Sequence, residues 1–192
     1  MKDEIRDSII KVSGEIFSRF GFNKTTMDDI ARGMRKGKSS IYYYFRNKEE
    51  IFQEVVEKEV SMLRSRILTE VEKQDNPKDK IRAYVKVRMD GFANLLNLYS
   101  LLKTEYLAHY DFVEEIRKNY DKAEISIIKE ILDEGVQKTI FTLDDPYLTA
   151  VTLVTAMKGF EIPLYIKPSE ENHLEMRLDN LLNTFFFGII KR

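Results

Sequence analysis

Residues 25–50 read TTMDDIARGMRKGKSSIYYYFRNKEE, and the rest of the chain is organised around them. Thr26 is a fitting N-cap, with Asp29 three residues on. Met27, Ile30, Ala31 and Met34 then fall at i, i+3, i+4 and i+7, so the spacing predicts a short helix over Met27–Met34. Arg35-Lys36-Gly37 breaks that pattern, and Gly37 is expected to take a positive φ or to cap the next helix. That second helix is expected over Lys38–Phe45, burying Ile41 and Phe45 and leaving Lys38, Ser39, Tyr42, Tyr43 and Tyr44 outward or sideways. From Arg32 to Lys48 stand Arg32, Arg35, Lys36, Lys38, Arg46 and Lys48, with no acid among them.

Cations interleaved with hydroxyls and phenols suit phosphate oxygens. Two short helices about a tight turn have the spacing of a helix-turn-helix whose second member enters the major groove of double-stranded DNA. The candidate DNA contacts are Thr25 and Thr26 ahead of the first helix, Arg35 and Lys36 in the turn, and Lys38, Ser39, Ser40, Tyr42, Tyr43 and Tyr44 on the second. Lys48, at the start of the next helix, completes the set. For the three tyrosines the alternative is packing against neighbouring helices; for Lys48 it is a solvated surface position.

The run Ala31-x-x-Met34…Lys38-Ser39-Ser40-Ile41-Tyr42-Tyr43-Tyr44-Phe45-x-Asn47-Lys48-Glu49-Glu50 resembles the tetracycline-repressor (TetR) family of bacterial transcription regulators. Members of that family usually carry a Gly-Val-Ser turn where this chain has Arg35-Lys36-Gly37, and a small Gly where it has Ser39. The resemblance implies an all-α protein of about nine helices. Residues 1–47 would form a three-helix DNA-binding domain and residues 48–192 a larger ligand-binding and dimerisation domain.

Charge is distributed accordingly. Residues 1–50 hold 11 cations and 8 acids, and the remaining 142 hold 20 and 24, beneath a total of −1. The local basic stripe, rather than the net charge, argues for nucleic acid. With no cysteine, disulfides, thiol catalysis and thiolate metal sites are excluded. His109 and His173, 64 positions apart, make no metal signature, and no cofactor is expected. Asp144-Asp145 reads as helix-start chemistry rather than a catalytic pair. There is no nucleophile elbow, P-loop or dinucleotide fingerprint, so an enzyme is not expected. The longest uncharged runs, Gly91–Leu102 and Pro146–Met157, are 12 residues each, short of the roughly 18 that span a bilayer. A cytoplasmic protein without a membrane segment is therefore expected.

Further helices are expected over Asp3–Phe20, with Ile5, Ile9, Val12, Ile16 and Phe20 as its core stripe, and from an Asn47 cap with Glu50 completing a capping box to Lys73. Others should cover Lys78–Leu95, Leu98–His109, Phe112–Gln137, a segment from Pro146 to the break at Pro163, and a last one opened by Pro168-Ser169. Val151 and Val154, with Leu174, Leu178, Leu181, Leu182, Phe185 and Phe186 on the last helix, form apolar faces that need a partner. Packing within one chain is one reading. The family resemblance implies the other, a homodimer whose two-fold reads a palindromic operator. The resemblance also places an inducer cavity among the middle helices, where Tyr84, Arg88, Met89, Phe92, Tyr106, His109, Tyr110, Tyr120, Met157 and Phe160 are the candidate lining. An unidentified and largely apolar small molecule is the expected effector. Together these point to a ligand-responsive repressor. The alternative is a helical module that binds a small molecule or partner without DNA, a reading the unusual turn keeps open.

Overall fold

The computed structural model describes residues 2–92, 94, 95, 97, 110–161 and 174–189. Among them the regular elements are helices, with no strand: α1 (Lys2–Phe20), α2 (Met27–Gly33), α3 (Lys38–Tyr42), α4 (Lys48–Glu72), α5 (Pro77–Phe92), α6 (Tyr110–Gln137), α7 (Pro146–Glu161) and α8 (Leu174–Ile189). The helix expected over Leu98–His109, the break at Pro163 and the start at Pro168-Ser169 lie outside the described residues. Two compact units form, Met1–Met62 with Asn94–Ile116, and Leu63–Ala93 with Arg117–Arg192. Helix α4 begins in the first and ends in the second. No described helix is long and apolar enough to cross a membrane, and no described group of acids or histidines could hold a metal ion.

The first unit is built on an aromatic core. Phe17 and Phe52 meet edge to face at 5.1 Å, Phe22 and Phe52 at 4.8 Å, and Phe17 and Phe22 at 5.9 Å. Gly21 at φ 84 ends α1, its N–H donating to the Phe17 carbonyl, and so brings Phe22 back over the last turn. The buried stripe of α1 differs from the expected one. Ile9, Ile10, Ser13 and Phe17 are buried, whereas Phe20 is 54% exposed and Ile5, Val12 and Ile16 are half-buried. A serine at the centre of the inward face disguises its register. Helix α2 packs closely on α1 at Gly33, where a Cβ would come 2.8 Å from Ile16 Cδ1.

In the second unit α5 touches both α7 and α8. Ile81, Val85, Ile128, Leu132, Leu153, Val154, Leu178, Leu182 and Phe186 are all buried there. Phe186 stacks on Phe141 at 6.4 Å beneath Lys78 and Arg82. Val154, Leu178, Leu182 and Phe186, expected at a dimer interface, are therefore consumed by packing within the protomer. Val151, Leu181 and Phe185 are half-buried, and the Leu174 side chain lies outside the described set. The large apolar side chains left exposed on α7 and α8 are instead Tyr147, Leu148, Met176 and Phe187.

Candidate nucleic-acid interface

Local hydrogen bonding fixes α2 at both ends. Thr26 caps its start: the Thr26 N–H donates to Asp29 Oδ2 at 2.9 Å, and the Asp29 N–H donates to Thr26 Oγ1 at 3.2 Å. Bonds from Thr26, the hydroxyl's first, hold the Asp29 carboxyl below its ordinary pKa. The far end is a Schellman motif. The Lys36 N–H donates to the Ala31 carbonyl and the Arg35 N–H to the Arg32 carbonyl, with Arg35 left-handed at φ 52. Of the two roles expected of Gly37, the positive φ falls to Arg35 instead, because the helix ends earlier than the glycine suggests, and the capping role is the one Gly37 takes. Gly37 is extended (φ −68, ψ 149) and N-caps α3. That helix is three residues shorter than expected: the Tyr44 and Phe45 N–H groups both turn back onto the Ile41 carbonyl. Ile41 and Phe45 are buried as expected.

This arrangement sorts the cations. Arg35, Lys36 and Arg46 are exposed and make no ion pair among the described residues. Arg32 pairs with Asp29. Lys38 sits 3.0 Å from Asp28, whose hydrogen bond raises the lysine pKa. Both pairs are largely exposed and contribute little to stability. Tyr42 and Tyr43 are 46% and 67% exposed, and Tyr44 is half-buried with its ring edge-on to Tyr43 at 5.0 Å. Ser39 is exposed and Ser40 half-buried. Arg35, Lys36, Lys38, Ser39, Tyr42 and Tyr43 therefore offer donors, cations and stacking faces along the turn and α3, the chemistry that phosphates and base edges take. Arg46, part of the basic run though not of the candidate contacts, belongs with them.

Two candidates face inward. Thr25 is 1% exposed and its hydroxyl donates to the Gly21 carbonyl at 2.8 Å, so its side chain is spent on the loop. Lys48 Nζ lies 3.0, 3.4 and 3.2 Å from the carbonyl oxygens of Phe22, Asn23 and Thr25, and 4.5 Å from the Phe22 ring centroid. It clamps the α1–α2 connection rather than standing free at the surface. The Asn47 cap of α4 is present, Oδ1 taking the Glu50 N–H at 2.9 Å, but the Glu50 carboxylate reaches the Arg46 N–H instead of closing the box on Asn47.

Of the candidate effector residues, Tyr84, Arg88, Met89, Phe92 and Met157 are fully buried and Phe160 is half-buried. Tyr106 and His109 lie outside the described residues, as does the side chain of Tyr110. Arg88, the one cation in that set, is at the centre of a buried charge cluster that the sequence pattern does not announce. Its Nε and Nη2 donate to Glu124 Oε1 and Oε2 at 3.0 and 3.3 Å, and Nη2 lies 2.6 Å from Glu161 Oε1. Arg117 Nη2 donates to Glu161 Oε2 at 2.6 Å, and the Tyr84 hydroxyl to Glu124 at 2.9 Å. Two cations face two anions, so the interior charge balances. Burial works against the Arg88 charge, but its charged neighbours outweigh that and raise its pKa. Burial likewise pushes the Tyr84 and Tyr120 hydroxyls up. Arg117 Nε is sealed in without a hydrogen-bond partner.

Residues 9–55 match the family model described as bacterial regulatory proteins, tetR family. Over 183 residues the chain is 24% identical to the HTH-type transcriptional regulator QacR of Staphylococcus aureus, covering 94% of each chain. It is 28% identical over 146 residues to IcaR of the same species, the HTH-type negative transcriptional regulator of the biofilm operon icaADBC, covering 68% of this chain and 75% of that one. A solved transcriptional regulator from Cytophaga hutchinsonii is similar with a TM-score of 0.78 at 25% identity, over 96% of this chain and 98% of its own. The capped α2, the Schellman turn and the cationic α3 thus sit inside a matched DNA-binding segment, on a fold shared along nearly the whole length. Residues 9–55 thus carry a TetR-family helix-turn-helix segment, and along nearly its whole length the chain is similar to helix-turn-helix transcriptional regulators.

Proposed function

We propose that this chain is a cytoplasmic, ligand-responsive repressor that binds a palindromic operator as a homodimer. Residues 1–47 read DNA, and residues 48–192 hold a largely apolar effector and pair two copies. The observation that carries this reading is the exposed set Arg35, Lys36, Arg46, Tyr42 and Tyr43 along the turn and α3. Repression is the sense supported by likeness to IcaR, a negative regulator. Pairing is supported by the exposed Tyr147, Leu148, Met176 and Phe187 on α7 and α8, apolar area that a second copy would cover. Effector action follows from population shift: a molecule that prefers one dimer conformation moves the two reading heads away from half-sites centred roughly 34–36 Å apart. Helix α4, with residues in both units, carries that coupling.

Selection of bound sequences from a random DNA pool tests the reading. A two-fold symmetric consensus is expected, bound with an affinity that falls steeply as salt rises. Recovery of no consensus, with a flat salt response, would instead favour a ligand- or partner-binding module that has left DNA behind.

A further inference from the structure

The two acids at the start of α2 differ in what holds them. Asp29 is spent on the cap, bonded to the Thr26 N–H and hydroxyl and paired with Arg32. Asp28 takes no part in that cap. Its two oxygens lie 3.0 and 3.1 Å from the ammonium of Lys38, which joins the start of α2 to the start of α3. Stability does not account for this pair. Both side chains are more than half exposed, where ion pairs contribute little, and a cation in the first turn of a helix opposes the helix dipole. A lysine there, with an acid reaching across from another helix to hold it, serves the surface rather than the fold.

Lys38 is the first residue of α3, the end at which a recognition helix meets base edges while the preceding helix crosses the backbone. Its Nζ also lies 6.0 Å from the Tyr42 ring centroid, so the ammonium is held between Asp28 and that ring. An ammonium has three donors; the Asp28 oxygens take two and leave one. A carboxylate has about four acceptor sites, so Asp28 keeps capacity to spare. The pair therefore presents a donor and an acceptor 3.0 Å apart with no net charge. The major-groove edge of a G·C pair carries the complement, guanine O6 beside the cytosine N4 donor. Those two atoms are hydrogen-bonded to each other, so they stand about 2.9 Å apart. An A·T pair also sets a donor beside an acceptor but alternates them, so only guanine gives the ammonium two neighbouring acceptors, O6 and N7. Phosphate offers acceptors and negative charge alone, which Asp28 repels.

We propose that Asp28 is a specificity-determining residue: with Lys38 it forms a neutral donor–acceptor pair that reads one G·C base pair and keeps the lysine from binding phosphates indiscriminately. The inference rests on the reading of the first unit as a DNA-binding one.

The test selects bound sequences from a random DNA pool with the wild-type chain and with Asp28→Ala, an exposed change that leaves the Thr26–Asp29 cap intact. Each protein is also titrated on a random duplex at several salt concentrations. The wild type should fix a G·C position at which Asp28→Ala loses about tenfold in preference, the other positions holding. On the random duplex the variant should bind more tightly, with a salt slope steeper by about 0.9 as Lys38 is released to a phosphate. An identical consensus from the two proteins would overturn the proposal, even if the variant bound all DNA more tightly, because Asp28 would then merely repel phosphates. An unchanged salt slope, or equal loss of preference at every position, would overturn it as well. Failure of the DNA-binding reading has its own signature: neither protein enriches any sequence, both salt responses are flat, and the proposal falls with it.

Discussion

Replacing Lys48 with methionine keeps an unbranched apolar stem and removes only the ammonium, which faces three carbonyl oxygens and an aromatic ring. The bonds to Phe22 and Thr25, at 3.0 and 3.2 Å, are sound, and each is worth about 1 kcal/mol net. The third, at 3.4 Å, lies near the limit of a hydrogen bond and adds little. The ring contact adds about 0.5 kcal/mol at a part-exposed site. The carbonyls left behind lie close enough to the surface to take water, so the loss is about 2 kcal/mol rather than the full penalty of buried orphans. At about 2–4 °C per kcal/mol for a chain of this size, the melting temperature should fall by roughly 4–8 °C. Salt dependence separates this from a phosphate contact. A lysine that neutralises a phosphate contributes about 0.9 to the slope of log affinity against log salt, whereas an internal clamp contributes nothing. Thermal melts without DNA and anisotropy titrations on an operator duplex at several salt concentrations read the two quantities. A slope reduced by about 0.9 with an unchanged melting temperature would refute the clamp.

Three further outcomes are expected. Glu124→Gln leaves Arg88 buried without its main counter-charge and should cost about 3–5 kcal/mol, while Arg88→Met combined with Glu124→Met should cost less than either single change; additive costs in denaturant melts would show that the pair is not coupled. Arg35→Asn should hold the melting temperature, since asparagine tolerates the left-handed region, yet weaken operator binding and flatten its salt slope; a large drop in melting temperature would contradict the Schellman geometry. The Asp29 pKa is lower folded than unfolded, so its stabilisation is complete above about pH 4 and disappears as the carboxyl protonates below that. Wild type and Asp29→Asn should therefore converge in melting temperature on acidification, and a constant gap across the acid range would contradict the capping role.

Helix starts were legible because capping is local chemistry. Thr26 with Asp29, Asn47 with Glu50, Asn76 before Pro77 and Asp145 before Pro146 all lie within three residues of the N–H groups they serve, and each forms its bond. What stayed hidden depends on distance along the chain or on a single turn of phase. Lys48 finds its carbonyls 23 to 26 residues back, where nothing in the basic run announces them. Arg88, Glu124 and Glu161 are brought together across three helices, and charged side chains are read by default as surface. The burial of Leu178, Leu182 and Phe186 within one protomer was hidden for the opposite reason. Leu178, Leu182 and Phe186 form so clean a stripe that it fits the interior of one protomer as well as the surface of two.

The charge cluster in the second unit also constrains how that unit moves. Arg88 belongs to α5, Arg117 and Glu124 to α6, and Glu161 to α7, tied by contacts of 2.6 to 3.3 Å. A slide of one helix by about an ångström or two, the usual scale of helix shifts in switching proteins, would pull these contacts beyond bonding length and strand unpaired ions in the interior. Gradual slippage of α5, α6 and α7 past one another is thus penalised from its first step. The three must travel as a block or exchange ionic partners in a single jump, which makes this part of the molecule a latch with discrete settings rather than a spring.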